Sequence, residues 1–456
     1  MKKIKSNTPI NDFLWTNNKK KLISFHMPGH NSTKGFDAVQ KRNLVKYDIT
    51  EMYGADNLQN PRGIIKESLG LISKQEGCMK SYFLVNGSTS GNQIVIKYIS
   101  IHDGELLVSR DCHKSVVNSA IMFSTKIHFV YNKYDNENNV FLPMSLETIR
   151  EAVEKNDKIK YVLITSPNYY GLVADIRAIS DYLHERDIIL IVDQAHGCHF
   201  KKSPLFPDGA LKQNADIVIE STHKTLSSLN QGALLHINSE KIDMKMMTKV
   251  VNALLTTSPS YPLMSTIEKS VLTDDRDKYE ILYRNIQEFR KKVKFKFLDN
   301  RDFSRLVIKV KETGMTGYEV KRYLYDQGIA IEMADLFNIV IIAVPSNTRS
   351  EFRKLYQALN KLEIKKGNHD ISLNIPIAKR ELDMFAAFKM SFKRVHLDEA
   401  KGCICGTIVI PYPPGIPVLC YGELIEDASI EFIKAVVKSG GEVIGIEDDM
   451  LDIIEV

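Results

Sequence analysis

The sequence has few cysteines and no long apolar run, and both shortages exclude classes of protein. Six cysteines among 456 residues are too few and too scattered for a disulfide framework. No run of about 18 consecutive apolar residues is present, so no membrane span is expected. The basic opening at residues 1–5 is not followed by an apolar segment, which argues against a secretory signal. We therefore expect a soluble, cytoplasmic protein.

The chain also lacks an excess of one charge and the usual nucleotide-binding loops. Lysine and arginine number 61 against 56 aspartate and glutamate residues, and this balance does not favour a nucleic-acid partner. Neither a Walker loop nor a Gly-x-Gly-x-x-Gly motif is found. The clusters His196-Gly-Cys198-His199 and Cys403-Ile-Cys405 do not have the ligand spacing of structural zinc sites, so no metal is predicted.

What the chain does have is a regular alternation of short apolar runs and helical patterns. The apolar runs lie at residues 81–85, 105–108, 126–131, 161–165, 188–193, 216–220 and 233–237. Such alternation predicts an α/β fold with a mostly parallel sheet of about seven strands, covered by helices on both faces. Residues 267–294 have the pattern of one long helix that leads into smaller α/β C-terminal domains. The prolines within residues 408–417 favour an edge strand or a rigid turn.

A lysine follows one of these predicted strands. Residues 217–219 would deliver Ser221, His223 and Lys224 to the carboxyl edge of the sheet, where such folds bind ligands. A loop lysine is usually solvated, but a desolvated one can form a Schiff base with a carbonyl cofactor. Asp193 ends the preceding strand, and a buried carboxylate there needs a cationic partner. A protonated pyridine nitrogen at ~4 Å would interact with it by about 4 kcal/mol.

A hydroxyl-rich segment lies between a predicted strand and a predicted helix at residues 86–92, Asn-Gly-Ser-Thr-Ser-Gly-Asn. Its three hydroxyl residues are Ser88, Thr89 and Ser90. Together with backbone N–H groups at a helix N-terminus they could bind a phosphate. An ordinary helix cap explains the same residues equally well, so the local pattern leaves both interpretations open.

Several motifs occur in one order along nearly the whole chain. They are His-Met-Pro-Gly-His at 26–30, Asn-Gly-Ser-Thr-Ser at 86–90, Arg-Asp-Cys-His-Lys-Ser at 110–115, Ser-Pro-Asn-Tyr-Tyr-Gly at 166–171, Asp-Gln-Ala-His-Gly at 193–197, Ser-Thr-His-Lys-Thr at 221–225, Thr-Ser-Pro-Ser-Tyr at 257–261 and Pro-Tyr-Pro-Pro-Gly-Ile-Pro at 411–417. This order resembles the ornithine/lysine/arginine decarboxylases. That family consists of enzymes that depend on pyridoxal 5′-phosphate (PLP) and share the aspartate-aminotransferase-like fold, also called fold type I.

The resemblance implies a cofactor site. Lys224 would hold PLP as a Schiff base, Asp193 would pair with the pyridine nitrogen, and His113 would stack on the ring. His223 would act on the cofactor as an electrostatic or acid/base group. The remaining implied cofactor contacts are Ser88, Thr89, Ser90 and Ser221 at the phosphate, and Ala195 and His196 against the ring. A homodimer is implied as well, because Thr257 and Ser258 match the segment that reaches the phosphate of a neighbouring subunit.

The resemblance also implies a division into domains. The expected parts are an N-terminal arm with an active-site loop at 1–46, a PLP-binding domain at 47–265, a small α/β domain at 266–366 and a decarboxylase-type C-terminal domain at 367–456. The expected reaction is decarboxylation of a small-molecule amino acid, namely lysine, arginine or ornithine, to its amine and CO2. Whether this serves polyamine synthesis or acid resistance is not decided by the sequence.

The chain departs from the family pattern at Asn31, Arg62, Gln194, Cys403 and the pair Gly406-Thr407. None of these positions belongs to the implied cofactor set. Several fall where a cationic side chain would be recognised, so the identity of the amino acid stays open. Two alternatives stay open with it. One is another PLP reaction on the same fold, such as an aminotransferase or lyase, and the other is a PLP-binding protein with lost or regulatory activity.

Overall fold

The structure is a computed structural model that describes residues 7–365, 376–412 and 415–455, with only the backbone of Tyr412. In the first half of the chain the elements are, in order, α1 (Pro9–Lys19), β1 (Ile23–Phe25), α2 (Ala38–Asn43), a 3-10 turn (Leu44–Tyr47), α3 (Ile64–Glu76), β2 (Lys80–Leu84), α4 (Gly87–Ile101), β3 (Glu105–Ser109), α5 (Lys114–Met122), β4 (Ile127–Val130), β5 (Tyr134–Asp135), β6 (Val140–Phe141), α6 (Leu146–Lys155), β7 (Ile159–Thr165), α7 (Ile176–His184), β8 (Ile189–Asp193), 3-10 turns (Phe200–Lys202 and Leu211–Gln213) and β9 (Ile217–Ser221).

The second half begins with the short helix that follows β9. The elements are α8 (Thr222–Thr225), β10 (Ala233–Ile237), α9 (Met244–Leu254), α10 (Tyr261–Leu272), α11 (Arg276–Lys292), β11 (Arg305–Lys309), a 3-10 turn (Lys311–Thr313), α12 (Gly317–Asp326), β12 (Ile329–Ile331), β13 (Met333–Ala334), β14 (Asn338–Ile342), α13 (Arg349–Asn360), α14 (Met384–Phe388), β15 (Phe392–His396), a 3-10 turn (Leu397–Glu399), β16 (Ile410–Tyr412), α15 (Asp427–Lys438), β17 (Glu442–Ile444), β18 (Ile446–Glu447) and β19 (Met450–Ile454).

The largest sheet has seven strands in the order β2-β10-β9-β8-β7-β3-β4. The pairs between β9, β8, β7, β3 and β4 are parallel, whereas β10 is antiparallel to both of its neighbours. Each of the seven apolar runs identified in the sequence forms one strand of this sheet. The predicted α/β class with a mostly parallel sheet is therefore confirmed, and β10 is the one reversed strand.

Hydrophobic clusters cover both faces of this sheet. Along β8, Ile189 and Ile191 pack in one cluster while Leu190 and Val192 pack in another, as the period of two in a strand requires. The helices on the first face include α4, α9 and α10, and those on the second include α6 and α7. A strand that is apolar on both sides is typical of a parallel sheet between two helical layers.

The prediction of one long helix at residues 267–294 is wrong. Helix α10 ends at Leu272, and α11 begins at Arg276. Between them Thr273 has an extended backbone, and the Asp274 carboxylate accepts from the backbone N–H of Arg276 at 3.2 Å. Short side chains that bond to nearby backbone favour such breaks over a continuous helix. The predicted domain boundary at 265/266 falls inside α10, and the division into domains stays a prediction.

The C-terminal part is tied to the large sheet by a buried arginine. Arg110 follows β3 and donates to both carboxylate oxygens of Glu423, at 2.6 and 2.7 Å, and to the Pro417 carbonyl at 2.8 Å. In the proline segment, β16 pairs with β17 as an antiparallel edge, which confirms the edge strand for its described residues. Pro413 and Pro414, the segment 366–375 that contains the predicted boundary at 367, and residues 1–6 lie outside the described residues.

Across the described ranges, no helix combines the length and the apolar character needed to cross a membrane. All six cysteines lie within the described residues and are free.

Candidate active site

Lys224 lies in the short helix α8, directly after β9 at the carboxyl edge of the parallel strands. Its Nζ is 3.1 Å from Nε2 of His196. Burial lowers the pKa of Lys224 to about 8, an effect that Asp193 and Glu332 oppose and Arg305 strengthens. About a tenth of this amine is therefore neutral near pH 7, whereas an ordinary solvated lysine is almost entirely protonated.

The protonation states around Lys224 follow from the hydrogen bonds of His196. Arg305 Nη2 lies 3.3 Å from His196 Nδ1, and a guanidinium can only donate. His196 Nδ1 is therefore an acceptor, and the proton of the neutral ring lies on Nε2. That N–H faces the Lys224 amine, which must accept and hence be neutral in this arrangement. Burial, Lys224 and Arg305 together hold the pKa of His196 well below its usual value, in agreement with a neutral ring.

Asp193 is the last residue of β8 and is 2% exposed. Its Oδ2 accepts from the Asn92 side chain at 3.1 Å, and its Oδ1 accepts from the backbone N–H of Ala195 at 3.1 Å. Both donors are neutral groups, so these bonds fix the carboxylate without neutralising it. A buried carboxylate held in this way is suited to a protonated ring nitrogen.

The hydroxyl residues meet at the N-terminus of α4. Ser221 donates to Ser88 Oγ at 2.9 Å, and Ser88 lies in the first turn of that helix beside the half-buried Thr89. Gly91 makes this approach possible, because a Cβ there would be 2.7 Å from the Ile219 side chain. Ser90 instead donates to the Gly87 carbonyl at 2.8 Å. First-turn N–H groups without an intrahelical partner, together with these hydroxyls, suit a phosphate.

His223 points toward the loop before β10 and not toward His196. Its Nδ1 donates to the Gly232 carbonyl at 2.9 Å, and burial lowers its pKa to about 4. The His223 carbonyl accepts from the backbone N–H of Gly29 at 2.7 Å. A Cβ on Gly29 would lie 2.5 Å from the Leu226 carbonyl oxygen, so only glycine allows this contact. Gly29 of the His-Met-Pro-Gly-His motif thus packs directly against the lysine helix.

His113 is the N-cap of α5, and its Nδ1 accepts from the backbone N–H of Ser115 at 3.2 Å. The residue is exposed in this chain. Protein atoms around the ring and the nearby charge of Lys224 lower its pKa, while Asp193 acts in the opposite direction. The structure therefore brings His113 into electrostatic reach of both Lys224 and Asp193, with one side of the site open.

Thr257 and Ser258 are the predicted site residues that this chain does not bring to Lys224. Both are exposed between α9 and α10, and the hydrogen bonds of Ser258 run to Thr256. Their predicted role involves a second subunit, so a single chain does not test it.

Sequence reasoning missed two charged residues of the site, Arg305 and Glu332. Arg305 begins β11 and is 1% exposed, and Glu332 lies between β12 and β13, half-buried. Glu332 Oε2 accepts from the backbone N–H of Met27 at 2.9 Å. Both come from the smaller α/β region, whose relation to the large sheet no local pattern reveals. The one signal in the sequence was Arg305 itself, a charged residue directly before the apolar residues 306–308 of a predicted strand.

The departure at Gln194 is explained by its contacts. Gln194 Nε2 donates to Glu220 Oε1 at 2.5 Å, and its Oε1 accepts from the Ala210 N–H at 2.7 Å. The side chain therefore points away from Lys224, and a glutamate there would place a second carboxylate against Glu220. Within the described residues, no hydrogen bond or ion pair joins Arg62, Cys403 or Thr407 to Lys224.

The two sequence clusters considered for zinc do not converge. His196 contacts Lys224, whereas His199 lies 3.2 Å from an Asp302 oxygen. One group of potential ligands does occur in the described part of the chain, formed by Glu76, Glu220 and His236. The ammonium of Lys201 contacts both glutamates of this group, so a cation is already supplied by the protein.

Comparisons with known proteins agree with this geometry. A family model described as Orn/Lys/Arg decarboxylase, major domain, matches residues 8–311, and one described as Orn/Lys/Arg decarboxylase, C-terminal domain, matches residues 379–452. Arginine decarboxylase of Bacillus anthracis is 27% identical over 477 residues, which cover 98% of this chain and 97% of that protein. The uncharacterized protein YaaO of Bacillus subtilis is 32% identical over 460 residues, 94% of each chain.

Among solved structures, lysine decarboxylase A from Pseudomonas aeruginosa matches with a TM-score of 0.77 at 16% identity, covering 99% of this chain and 84% of that one. These matches confirm the predicted fold class, and the two family models extend over most of the described chain. The predicted enzyme class, an amino-acid decarboxylase, is confirmed with them. The chain belongs to the Orn/Lys/Arg decarboxylase family.

Proposed function

We propose that this protein is a PLP-dependent decarboxylase of a basic amino acid, releasing CO2 and the corresponding amine. The observation that carries the proposal is the buried Lys224 amine, whose pKa is lowered to about 8, beside His196 at the carboxyl edge of the sheet. A desolvated neutral lysine is the nucleophile that a carbonyl cofactor requires.

The residues around Lys224 fit the parts of this cofactor. Asp193 would pair with the ring nitrogen, and the α4 N-terminus with Ser88, Thr89 and Ser221 would bind the phosphate. His113 would lie against the ring, and Ala195 and His196 would also contact it. When bound, the cofactor supplies an electron sink for the bond pair that the leaving carboxyl group leaves at Cα.

The protein's own contribution is orientation and control of protons. Asp193 holds a proton on the ring nitrogen because its own carboxylate is buried among neutral donors. His196 presents Nε2–H to the group bound at Lys224, and Arg305 keeps that tautomer in place. His223 is tied to Gly232 and supports the lysine helix, so we assign it an electrostatic role.

The basic substrate is supported by family membership and by Glu332. Two of the relatives described above are an arginine decarboxylase and a lysine decarboxylase. Glu332 has one oxygen on the Met27 N–H and acts on the Lys224 charge, so its carboxylate lies within electrostatic reach of the reactive amine. A carboxylate there favours a substrate with a cationic side chain over a neutral or acidic one.

A homodimer belongs to the proposal. Thr257, Ser258 and His113 are exposed in the single chain, and a row of large apolar side chains is exposed nearby in sequence to the N-terminal motif, namely Val45, Tyr47, Ile49, Met52 and Tyr53. Several large apolar side chains exposed within nine residues favour an interaction surface. A second copy would cover it and bring its hydroxyls to the phosphate.

The test is a product screen of the purified protein with added PLP. Lysine, arginine and ornithine are supplied separately, and CO2 and the amine are measured for each. We expect one of the three to be converted at least tenfold faster than the others, and Lys224→Ala to convert none. Bound PLP with no conversion of any of the three would contradict decarboxylation of basic amino acids. Absence of PLP binding by the intact protein would contradict the cofactor assignment itself.

A further inference from the structure

Arg305 carries a buried positive charge that the described contacts do not satisfy. It is 1% exposed, and of its guanidinium nitrogens Nη2 lies on His196 while Nε and Nη1 have no hydrogen-bond partner among the described residues. A buried and incompletely paired charge destabilises a protein by several kcal/mol unless a ligand pairs with it. We therefore expect the free guanidinium nitrogens of Arg305 to bind an anion.

The protein's own carboxylates do not supply that anion. Asp302 is within electrostatic reach and its Oδ2 has no hydrogen-bond partner within the described chain, but its Oδ1 accepts from the hydroxyl and N–H of Ser304 and faces His199. Glu332 also lies in the site, yet its described hydrogen bond runs to the Met27 N–H. Neither forms an ion pair with Arg305 among the described residues.

The location of Arg305 selects the ligand. One imidazole ring separates it from Lys224, since His196 contacts the guanidinium through Nδ1 and the amine through Nε2. The phosphate is expected at a different place, the α4 N-terminus, where Ser221 donates to Ser88. The cofactor's own phenolate oxygen would be common to PLP and to every adduct. The anion that distinguishes the amino acid from its amine near the atom bound by Lys224 is the α-carboxyl group.

We propose that Arg305 binds the α-carboxylate of the amino-acid substrate and thereby fixes the orientation of the bond that breaks. This inference rests on the proposed function and assigns the carboxylate-binding residue of the same site. A planar guanidinium with free N–H donors matches a carboxylate in charge and shape, which a lysine does not. The departing group leaves as neutral CO2, so the contact contributes to binding and orientation more than to lowering the barrier.

The experiment uses stable ligands that differ only in the carboxylate. Reduction of the Schiff base of PLP with an amino acid or with its amine gives phosphopyridoxyl adducts that cannot react. The pairs are arginine with agmatine, lysine with cadaverine and ornithine with putrescine, and the pair is chosen by the product screen. Dissociation constants for the protein freed of PLP are measured by calorimetry, with PLP alone as a third ligand.

For wild-type protein we expect the amino-acid adduct to bind more tightly than the amine adduct. Arg305→Met should weaken the amino-acid adduct by about 10- to 100-fold, as loss of a charged hydrogen bond predicts, and leave the amine adduct and PLP within about twofold. Arg305→Lys should fall between the two, because it keeps the charge without the planar geometry. In steady-state kinetics Arg305→Met should raise KM more than it lowers kcat.

Two results would overturn the assignment. Equal weakening of both adducts and PLP would mean that Arg305 serves the phosphate or only supports His196. Equal binding of the two adducts by wild-type protein would mean that the carboxylate is not recognised at all. In both cases tight binding of PLP by the wild type would leave the proposed function standing.

Discussion

Lys201 and Lys224 both lie near the end of strand β9, and their comparison shows how surroundings decide the chemistry of an identical side chain. Lys201 contacts the carboxylates of Glu76 and Glu220, whose side chains are 5% and 3% exposed. Lys224 contacts His196 and has no carboxylate in contact among the described residues. Strand β9 carries Glu220 toward the first lysine and Ser221 toward the site of the second, as alternation along a strand requires.

The difference teaches which burial is structural and which is functional. Burial lowers the pKa of both lysines, and Glu220 opposes that shift for Lys201. With two carboxylates against it, the Lys201 ammonium is a fixed counter-ion and a poor nucleophile. At Lys224 the nearest groups are a neutral donor and, behind it, the cation of Arg305, so the protonated amine is stabilised less than at Lys201. A perturbed lysine is a better functional candidate when its perturbation is not compensated by contact with an acid.

The largest expected effect separates the two lysines directly. Lys224→Met should lower decarboxylation by about 10⁵-fold or more, since it removes the amine that would bond to the proposed cofactor. Its free energy of unfolding should stay the same or rise, because a buried polar amine is replaced by an apolar side chain. Assay of amine formation together with denaturant unfolding checks both parts. Activity within tenfold of wild type would remove Lys224 from its role.

Asp193→Asn tests the partner of the cofactor ring. An amide cannot hold the proton of the ring nitrogen, and an interaction of about 4 kcal/mol corresponds to a loss of about 10³-fold in turnover. PLP affinity should change much less, because the phosphate contacts at Ser88 and Ser221 are untouched. Asp216→Asn, at another buried carboxylate, is the matched control, since its oxygen accepts from the Leu190 N–H within the sheet. Near-normal turnover of Asp193→Asn would contradict the pairing.

Lys201→Met makes the same substitution at the other lysine. It leaves two nearly buried carboxylates without their cation, and the free energy of unfolding should fall by about 3 kcal/mol. The Lys201 side chain is 21% exposed, which keeps this figure at the lower end of the range for buried pairs. Turnover of the folded protein should stay within about twofold. A loss of turnover without loss of stability would show that the Lys201 cluster is part of the catalytic machinery.

The smallest effect concerns pH. With a pKa of about 8, Lys224 becomes neutral as the pH rises, so the rate at which the apoprotein captures PLP should increase. Between pH 6 and 8 the neutral fraction grows by about 50-fold, and from pH 8 to 10 only by about twofold. Stopped-flow absorbance measures this rate. A rate that continues to climb tenfold per unit to pH 10 would indicate an ordinary, solvated lysine.

Much of the fold was predictable because its signals are local. Apolar runs of strand length located each of the seven strands, and Asp193 and Lys224 could be placed at one edge because they end neighbouring parallel strands. Helix α4 was harder. Its first turn is the hydroxyl segment from Gly87, six residues before the apolar pattern begins. Serine and threonine can occupy a first turn, but they add no apolar periodicity that would mark where the helix starts. The break after Leu272 was missed for a similar reason.

The rest of the site depends on packing between distant segments. Arg305 and Glu332 reach Lys224 from the smaller region, and the contact of Gly29 with the lysine helix joins residues almost 200 positions apart. No periodicity in one segment encodes such pairings. Likewise, nothing in the sequence shows that Gln194 turns toward Glu220, and this orientation explains why its departure from the family leaves the cofactor residues in place.

The ion pair between Arg110 and Glu423 has a consequence for regulation of the whole chain. Arg110 lies three residues before His113. The C-terminal part is therefore hydrogen-bonded, through Glu423, to the loop that leads to His113 in the candidate site. Two binding equilibria that share an element are linked, and the linkage is reciprocal. Occupation of the site should therefore stabilise docking of the C-terminal part, and loss of that docking should weaken binding at the site by the same factor. In thermodynamic terms the last fifth of the chain would act as a tethered effector of the rest.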